Sequence, residues 1–129
     1  VLAEPAVQQA RQADIGRFFS LLWDAGLATS QAVRSLGQCV EAAREDITVL
    51  TALMECRVLA GDEACLPALA AALSPAVLWA PKDYFAAKRE EQRARHARFH
   101  DTAHNLEPSI KEGPGGLRDL QTVTWMGMR

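Results

Sequence analysis

The chain has 129 residues, of which 49% are hydrophobic, and its formal net charge at pH 7 is −2 with an isoelectric point near 5.9. This length fits one domain that can bury a core. The nearly balanced total charge shows neither a strong nucleic-acid-binding footprint nor an acidic tail, so no nucleic-acid partner is expected and any basic function must be local. The three cysteines lack the C-x-x-C spacing of a zinc site. They fit free thiols in a reducing compartment, so we expect a cytoplasmic protein.

No membrane partner is expected. The uncharged run at residues 66–81 contains three prolines and is shorter than the roughly 20 residues of a membrane-spanning helix. No signal peptide is recognised at the N-terminus.

The N-terminal part of the chain is expected to combine two short strands with one helix. "VLAEP" resembles the end of a strand whose beginning is missing, so the chain is expected to start mid-fold, and "ATSQAVRSL" has the composition of a second short strand. Between them, "ADIGRFFSLLWDAGL" has apolar residues at helical spacing, with Asp14 as a candidate N-cap and Gly26 as the stop. The expected fold class is an α+β fragment that is predominantly α-helical.

Ser35 and Gln38 match the capping-box pattern and predict one helix that runs to Gly61. Its apolar positions recur at helical spacing: Val40, Ala43, Ile47, Leu50, Met54 and Val58. Beyond Gly61, the run "LPALAAALSPAVLWAP" predicts one or two short helices that break at Ser74 and Pro75.

A long basic helix is expected over "PKDYFAAKREEQRARHARFHDTAHN", which begins with a proline suited to the first turn. Between residues 82 and 104 it has six Lys or Arg against four Asp or Glu, so it is net basic by two. Because its apolar stripe is thin, the simplest interpretation is a solvated face with i,i+4 ion pairs such as Glu91 with Arg95.

His96, His100 and His104 fall at i, i+4 and i+8 of this predicted helix, on one face. Three imidazoles resemble a zinc ligand set, but the first and third would lie about 12 Å apart at a rise of 1.5 Å per residue. One i,i+4 pair could bind together only with a ligand from elsewhere, so we expect no metal. The doublet His100-Asp101 is too isolated to indicate a metal phosphohydrolase.

The glycine-rich run at residues 113–116 precedes "LRDLQTVTWMGMR", which is helical by its apolar spacing. A loop that opens a helix can present unpaired backbone amides to phosphate oxygens. On this hypothesis the phosphate-binding residues are those that offer amides or positive charge: Lys111, Gly113, Gly115, Gly116 and Arg118. The spacing is neither a Walker A pattern nor a G-x-G-x-x-G fingerprint. On the same hypothesis, Glu112 and Asp119 orient the cations. The alternative is a tight structural turn, in which the glycines let two helices approach closely and Arg118 and Asp119 pair with neighbours.

"NLEPSIKEGPGGLRDLQ" resembles the signature of the bifunctional PII uridylyltransferase/uridylyl-removing enzymes of bacterial nitrogen signalling. "FFSLLWDAGL" and "AVRSLGQCVEAAREDITVLTALMECRVLAG" resemble the same family in order and spacing. The resemblance implies the second half of a transferase domain of the DNA polymerase β type over residues 1–61, followed by a helical segment over residues 62–129. It also implies an enzyme that moves UMP from UTP to a tyrosine of the PII protein. A separate domain would remove UMP, and regions outside this chain would sense glutamine.

Nucleotidyltransferases of this type need a Gly-Ser turn and Asp-x-Asp to hold Mg²⁺ against the triphosphate of UTP. Neither motif occurs in the chain. We therefore expect these 129 residues alone to be inactive and to hold no cofactor, with Mg²⁺ and UTP bound in the intact enzyme. Asp46 is the candidate third carboxylate by order along the chain, and its alternative role is to cap or break a helix. A competing function is a non-enzymatic interaction module whose basic helix, residues 82–98, docks on an acidic partner.

Overall fold

The computed structural model describes residues 1–102 and 109–129, and those residues form seven α-helices. In chain order the helices are α1 (Pro5–Ala10), α2 (Gln12–Asp24), α3 (Leu36–Glu45), α4 (Ile47–Met54), α5 (Cys65–Ala72), α6 (Pro81–Ala97) and α7 (Leu117–Gly127). The expected helical predominance is confirmed. His104 and the start of the signature run, residues 105–108, lie outside the described residues.

The two expected strands are not formed in the part of the chain that the structure describes. Leu2 and Arg34 make an isolated parallel bridge, in which the Ala3 amide donates to the Arg34 carbonyl over 3.0 Å. Two bridged segments without a third strand beside them cannot build a sheet, because strands need several neighbours and an apolar face to be stable. The α+β part of the expected fold class is therefore not confirmed, because residues 1–102 and 109–129 form helices and one isolated bridge.

Helix α2 confirms its predicted stop but not its predicted start. Gly26 has φ +79, the left-handed conformation that ends helices, and the Leu27 amide donates to the Leu22 carbonyl over 3.0 Å. Asp14, expected as N-cap, lies within the first turn of α2, where it pairs with Arg17. A first-turn carboxylate still complements the positive end of the helix dipole.

The helix predicted from Ser35 to Gly61 divides into α3 and α4, and it ends at Met54, so Val58 and the predicted stop at Gly61 lie beyond it. The capping box is confirmed, because Ser35 Oγ accepts from the Gln38 amide and the Gln38 side chain accepts from the Ser35 amide. Asp46 has an extended backbone, φ −133 and ψ 115, and its carboxylate accepts from the Thr48 amide and from Thr48 Oγ1, each over 2.7 Å. Because the Asp46 side chain bonds to the backbone of the next helix, the chain does not continue as one helix through this residue. The predicted apolar stripe is therefore divided between α3 and α4.

The core combines side chains from both sides of residue 61. Its buried members come from α3 to α7 and from the turn after α5: Cys39, Ala43, Leu50, Leu69, Leu73, Leu78, Tyr84 and Trp125. One helix, α5, forms in the Ala- and Leu-rich run, and residues 73–79 after it are turns and bends. The turn is anchored by Trp79, whose indole Nε1 donates to the Ala43 carbonyl over 2.8 Å. The division into residues 1–61 and 62–129 stays a prediction.

Helix α6 begins at Pro81 as predicted but ends at Ala97, before the second histidine. His100 and Asp101 both have positive φ, +56 and +52, so the chain has left the helix there. The expectation of a solvated face is also wrong for one side of α6, where Lys88 is 2% and Arg95 is 1% exposed. Within the described ranges, no helix has the length and apolar character that crossing a bilayer requires.

Replacing Asp46 tests its capping role. Asp46→Ala is expected to lower the free energy of unfolding by about 1 kcal/mol, because the first turn of α4 loses its side-chain acceptor. Asp46→Asn keeps an acceptor oxygen and is expected to retain most of that stability. Urea unfolding of the two variants measures the difference, and equal losses would contradict the cap.

Candidate functional site

The glycine amides of the glycine-rich loop, residues 109–116, and the two amides that follow it are hydrogen-bonded within the loop or to Asp119. The amides of Gly113 and Gly116 donate to the carbonyls of Ser109 and Gly113 over 3.0 and 2.9 Å. Gly115 donates its amide to Asp119 Oδ2 over 2.8 Å. The next two amides, of Leu117 and Arg118, donate to carbonyls of the same loop, over 2.9 Å each. The expectation that these amides are unpaired is therefore wrong, whereas phosphate binding by the loop residues stays a prediction.

The glycines are needed for space and for conformation. A Cβ on Gly116 would lie 2.6 Å from the Ile110 carbonyl oxygen, and one on Gly113 would lie 2.9 Å from that of Ser109. Gly115 meets no such atom but has φ +76, which L-residues with a Cβ adopt at a cost. The loop thus folds back on itself more tightly than any side chain would allow, which is the structural-turn interpretation of the motif.

A buried ion pair joins this loop to α6 and α7. Arg95, 1% exposed, donates from Nη2 to Asp119 Oδ1 over 2.8 Å and from Nη1 to the Glu112 carbonyl over 2.9 Å. Its Nε lies 3.4 Å from Glu91 Oε1, which confirms the predicted i,i+4 pair. One guanidinium therefore contacts its own helix, the loop and the first turn of α7.

Asp119 collects four donors. Besides Arg95 and the Gly115 amide, Gln92 Nε2 donates to Oδ1 over 2.9 Å, and His96 Nε2 lies 3.0 Å from both carboxylate oxygens. Desolvation by burial opposes ionisation, but the hydrogen bonds from Gln92, Arg95, Gly115 and His96 outweigh it and hold the pKa of Asp119 well below its usual range. Folding lowers the pKa of Asp119, so its ionised carboxylate stabilises the folded state at pH values above about 4, the ordinary pKa of an aspartate. This stabilisation is lost as the pH falls through the lower pKa of the folded state.

Glu112 is surrounded by positive charge. Its carboxylate lies 3.4 Å from Arg118 Nη2, 3.9 Å from Lys111 Nζ and 4.0 Å from Arg95 Nε. The side chain of Lys111 is 65% exposed, whereas that of Arg118 is 27% exposed. Of the two cations predicted to bind phosphate, Arg118 is therefore held in place and Lys111 extends into solvent.

Arg118 also lines a cavity of about 340 Å³ among α4, α6, α7 and the glycine-rich loop. The cavity wall combines three carboxylates, two cations, one indole and small side chains: Glu55, Glu91, Glu112, Lys88, Arg118, Trp125, Thr48, Thr51 and Ala52. Each of its charged side chains has an ion-pair or hydrogen-bond partner within the protein.

The Trp125 ring contacts two cations of the cavity wall, Lys88 and Arg118. Its ring centroid lies 4.7 Å from Lys88 Nζ and 5.4 Å from Arg118 Cζ, both within cation–π range. Its indole Nε1 donates to Glu55 Oε1 over 2.7 Å, and Lys88 Nζ lies 3.1 Å from Glu91 Oε2. A buried lysine is retained here because a carboxylate and an aromatic face replace its water.

Two other candidate residues lie at the edge of this network of ion pairs and hydrogen bonds, Asp46 through Thr48 of the cavity wall and His96 through Asp119. Asp46 caps α4, and the hydrogen bonds from the Thr48 side chain and amide lower the pKa of its carboxyl. His96 contacts Asp119 rather than His100, which lies beyond the end of α6. In the described ranges no group of three or more His, Cys, Asp or Glu is placed to hold a metal ion. The expected absence of a structural metal stays a prediction.

Comparisons with known proteins agree with the motif. Residues 83–129 match the model of the family described as GlnD PII-uridylyltransferase. Over all 129 residues the chain is 58% identical to the bifunctional uridylyltransferase/uridylyl-removing enzyme of Xanthomonas campestris pv. campestris (strain B100). It is 46% identical, again over its whole length, to the enzyme of that name from Pseudomonas aeruginosa (strain LESB58).

The chain belongs to the GlnD PII-uridylyltransferase family. It spans 15% of the Xanthomonas enzyme and 14% of the Pseudomonas enzyme. No solved structure matches this member of the family. The resemblance drawn from the signature run is confirmed.

Sequence reasoning missed the buried cations of the site. Lys88 lies four residues after Tyr84, and Arg95 lies eleven residues after it. At 3.6 residues per turn, these spacings place the three side chains on one face of α6. That spacing is the signal that could have revealed the buried face, but cations at core positions are normally counted as solvated. The burial of these two cations also removes them from the basic docking helix proposed as the competing function.

Gly116→Ala tests whether the backbone at Gly116 lies too close to the Ile110 carbonyl for any side chain. The added methyl group would meet the Ile110 carbonyl at 2.6 Å, and the forced backbone shift is expected to cost about 2–3 kcal/mol of unfolding free energy. Gly115→Ala is the matched control, because it meets no atom within 4 Å and is expected to cost about 1 kcal/mol for its left-handed φ. Equal losses in urea unfolding would contradict the close approach at Gly116.

Proposed function

We propose that the chain is a segment of an enzyme that transfers UMP from UTP to a tyrosine of the PII signal protein and also removes it. The observation that carries this proposal is identity of 46–58% along all 129 residues to enzymes named for those two activities. On this proposal the PII protein and UTP are partners of the whole enzyme, and glutamine acts through regions outside this chain. A polymerase β-type transferase domain is part of the same proposal.

The chain's own residues do not fit a Mg²⁺ site. Its sequence has no Asp-x-Asp and no Gly-Ser turn, and its described residues hold no cluster of three ligands. Asp46, the candidate third carboxylate, is a lone acid engaged by Thr48. We therefore assign the ligands of Mg²⁺ to other parts of the enzyme, and we expect these 129 residues alone to transfer no UMP to PII.

A catalytic role for Asp46 stays a prediction that the Asp46→Asn variant separates from capping. Asparagine retains an acceptor for the Thr48 amide but has no negative charge for a metal ion. In the full-length enzyme, retained transfer activity in this variant would assign Asp46 to the cap alone. Loss of transfer at unchanged melting temperature would assign it to the active site.

Within the loop, we propose that Arg118 is the residue that contacts phosphate oxygens of UTP, with Lys111 adding charge. Arg118 is held by Glu112, by Gln121 over 3.1 Å and by the Trp125 face, so its guanidinium is oriented in advance. The helix dipole of α7 favours an anion at the same end. Gly113, Gly115 and Gly116 would support this contact by shaping the loop, because their amides are already used within it.

Arg118→Ala in the full-length enzyme is expected to lower UMP transfer by about tenfold to a thousandfold, the range seen when one donor to developing charge is removed. Uridylyl removal should change little, because it would use a separate domain. The measurements are initial rates of both reactions and the melting temperature of each variant.

Arg93→Ala is the matched control, because Arg93 is an exposed arginine of α6 whose recorded ion pair is with Glu90. It should leave transfer unchanged. A parallel fall of both activities and of the melting temperature in Arg118→Ala would show that Arg118 supports the fold instead of binding phosphate.

A further inference from the structure

Helix α7 is apolar on two opposite sides. Its inner side buries Thr122 and Trp125, which are each 2% exposed. Its outer side carries large aliphatic side chains that are more than half exposed: Leu117 55%, Leu120 66%, Val123 70% and Met128, just past the helix end, 55%. Asp119 and Gln121 lie between these two sides, and Arg118 lies over the Trp125 ring. A helix that packs on only one side needs one apolar stripe, and α7 has a second one, which faces away from Trp125.

The outer side of α7 continues onto the glycine-rich loop. Ile110 is 77% exposed in that loop, and its carbonyl receives the Leu117 amide over 2.9 Å at the start of the helix. We define this outer surface by its five aliphatic residues, Ile110, Leu117, Leu120, Val123 and Met128. None of the five carries charge, so the surface fits an apolar partner better than a charged one.

We propose that this outer surface packs against an apolar surface of the same enzyme's polypeptide outside residues 1–129. The chain spans 15% of the length of the Xanthomonas enzyme, so most of such an enzyme lies outside this segment and is tethered to it. Tethering makes the contact intramolecular and raises the effective concentration of the partner surface.

Size favours an internal neighbour over a second copy. The outer surface has five residues, whereas a stable complex between separate molecules involves roughly 20–30 residues on each partner. Contacts between domains of one chain are stable at smaller areas because their association entropy is already lost. The surface lies across α7 from Trp125, so a domain docked there would touch the same helix that supports Arg118.

The test uses the full-length enzyme and needs no catalytic activity, so its failure is distinguishable from failure of the proposed function. Leu120→Cys and Arg93→Cys each place one new thiol on an exposed helical position. Each enzyme is treated with a maleimide under native conditions, and labelling of the corresponding peptide is followed by mass spectrometry. Peptide-level detection separates the new thiols from Cys39, Cys56 and Cys65.

The proposal predicts that the thiol of the Leu120→Cys enzyme labels at least tenfold more slowly than that of the Arg93→Cys enzyme in the native state, and equally fast after denaturation. Equal labelling rates in the native state would overturn it. A photoreactive benzoyl-phenylalanine at Val123 then identifies the covering surface. A crosslink within one polypeptide to a residue outside 1–129 supports the proposal, and a crosslink to a second enzyme molecule or to PII overturns it.

Discussion

The fold of the C-terminal half depends on which groups compensate the positive charge of one buried guanidinium, that of Arg95. Arg95 is almost fully removed from water, and an unpaired charge there would cost several kcal/mol. The compensation comes from three places along the chain: Glu91 on its own helix, the Glu112 carbonyl in the loop, and Asp119 on α7. Because the partners in the loop and on α7 lie 17 and 24 residues away, satisfying the charge requires the loop to close and α7 to dock on α6.

The geometry of the loop follows from that closure. For Asp119 to meet Arg95 while accepting from the Gly115 amide, the chain must turn back within a few residues, and Gly116 then lies too close to the Ile110 carbonyl for any side chain. The same closure brings Arg118 beside Glu112 and over Trp125. A motif that resembles a phosphate loop in its composition is thus a self-bonded turn. A contribution of this turn to phosphate binding, as proposed, would rest on the side chains that it positions.

Short-range features could be predicted from the sequence, and features that depend on distant partners could not. The capping box at Ser35, the stop at Gly26 and the start of α7 after the glycines follow from rules that involve a few neighbouring residues. One helix is predicted across Asp46 because the apolar stripe continues past it, but the alternative role given to Asp46, to cap or break a helix, is the one found. The burial of Arg95 was missed because its main partner, Asp119, lies on another helix, and nothing in a single sequence pairs the two.

The central claim is that the Arg95–Asp119 pair holds the loop and α7 against α6, and a double-mutant cycle measures it most directly. Urea unfolding of the 129-residue chain would be compared among Arg95→Met, Asp119→Asn and the double variant. Buried, hydrogen-bonded partners are expected to show a coupling free energy of about 2 kcal/mol, with the double variant losing much less than the sum of the single losses. Additivity of the two losses within about 0.5 kcal/mol would contradict the claim.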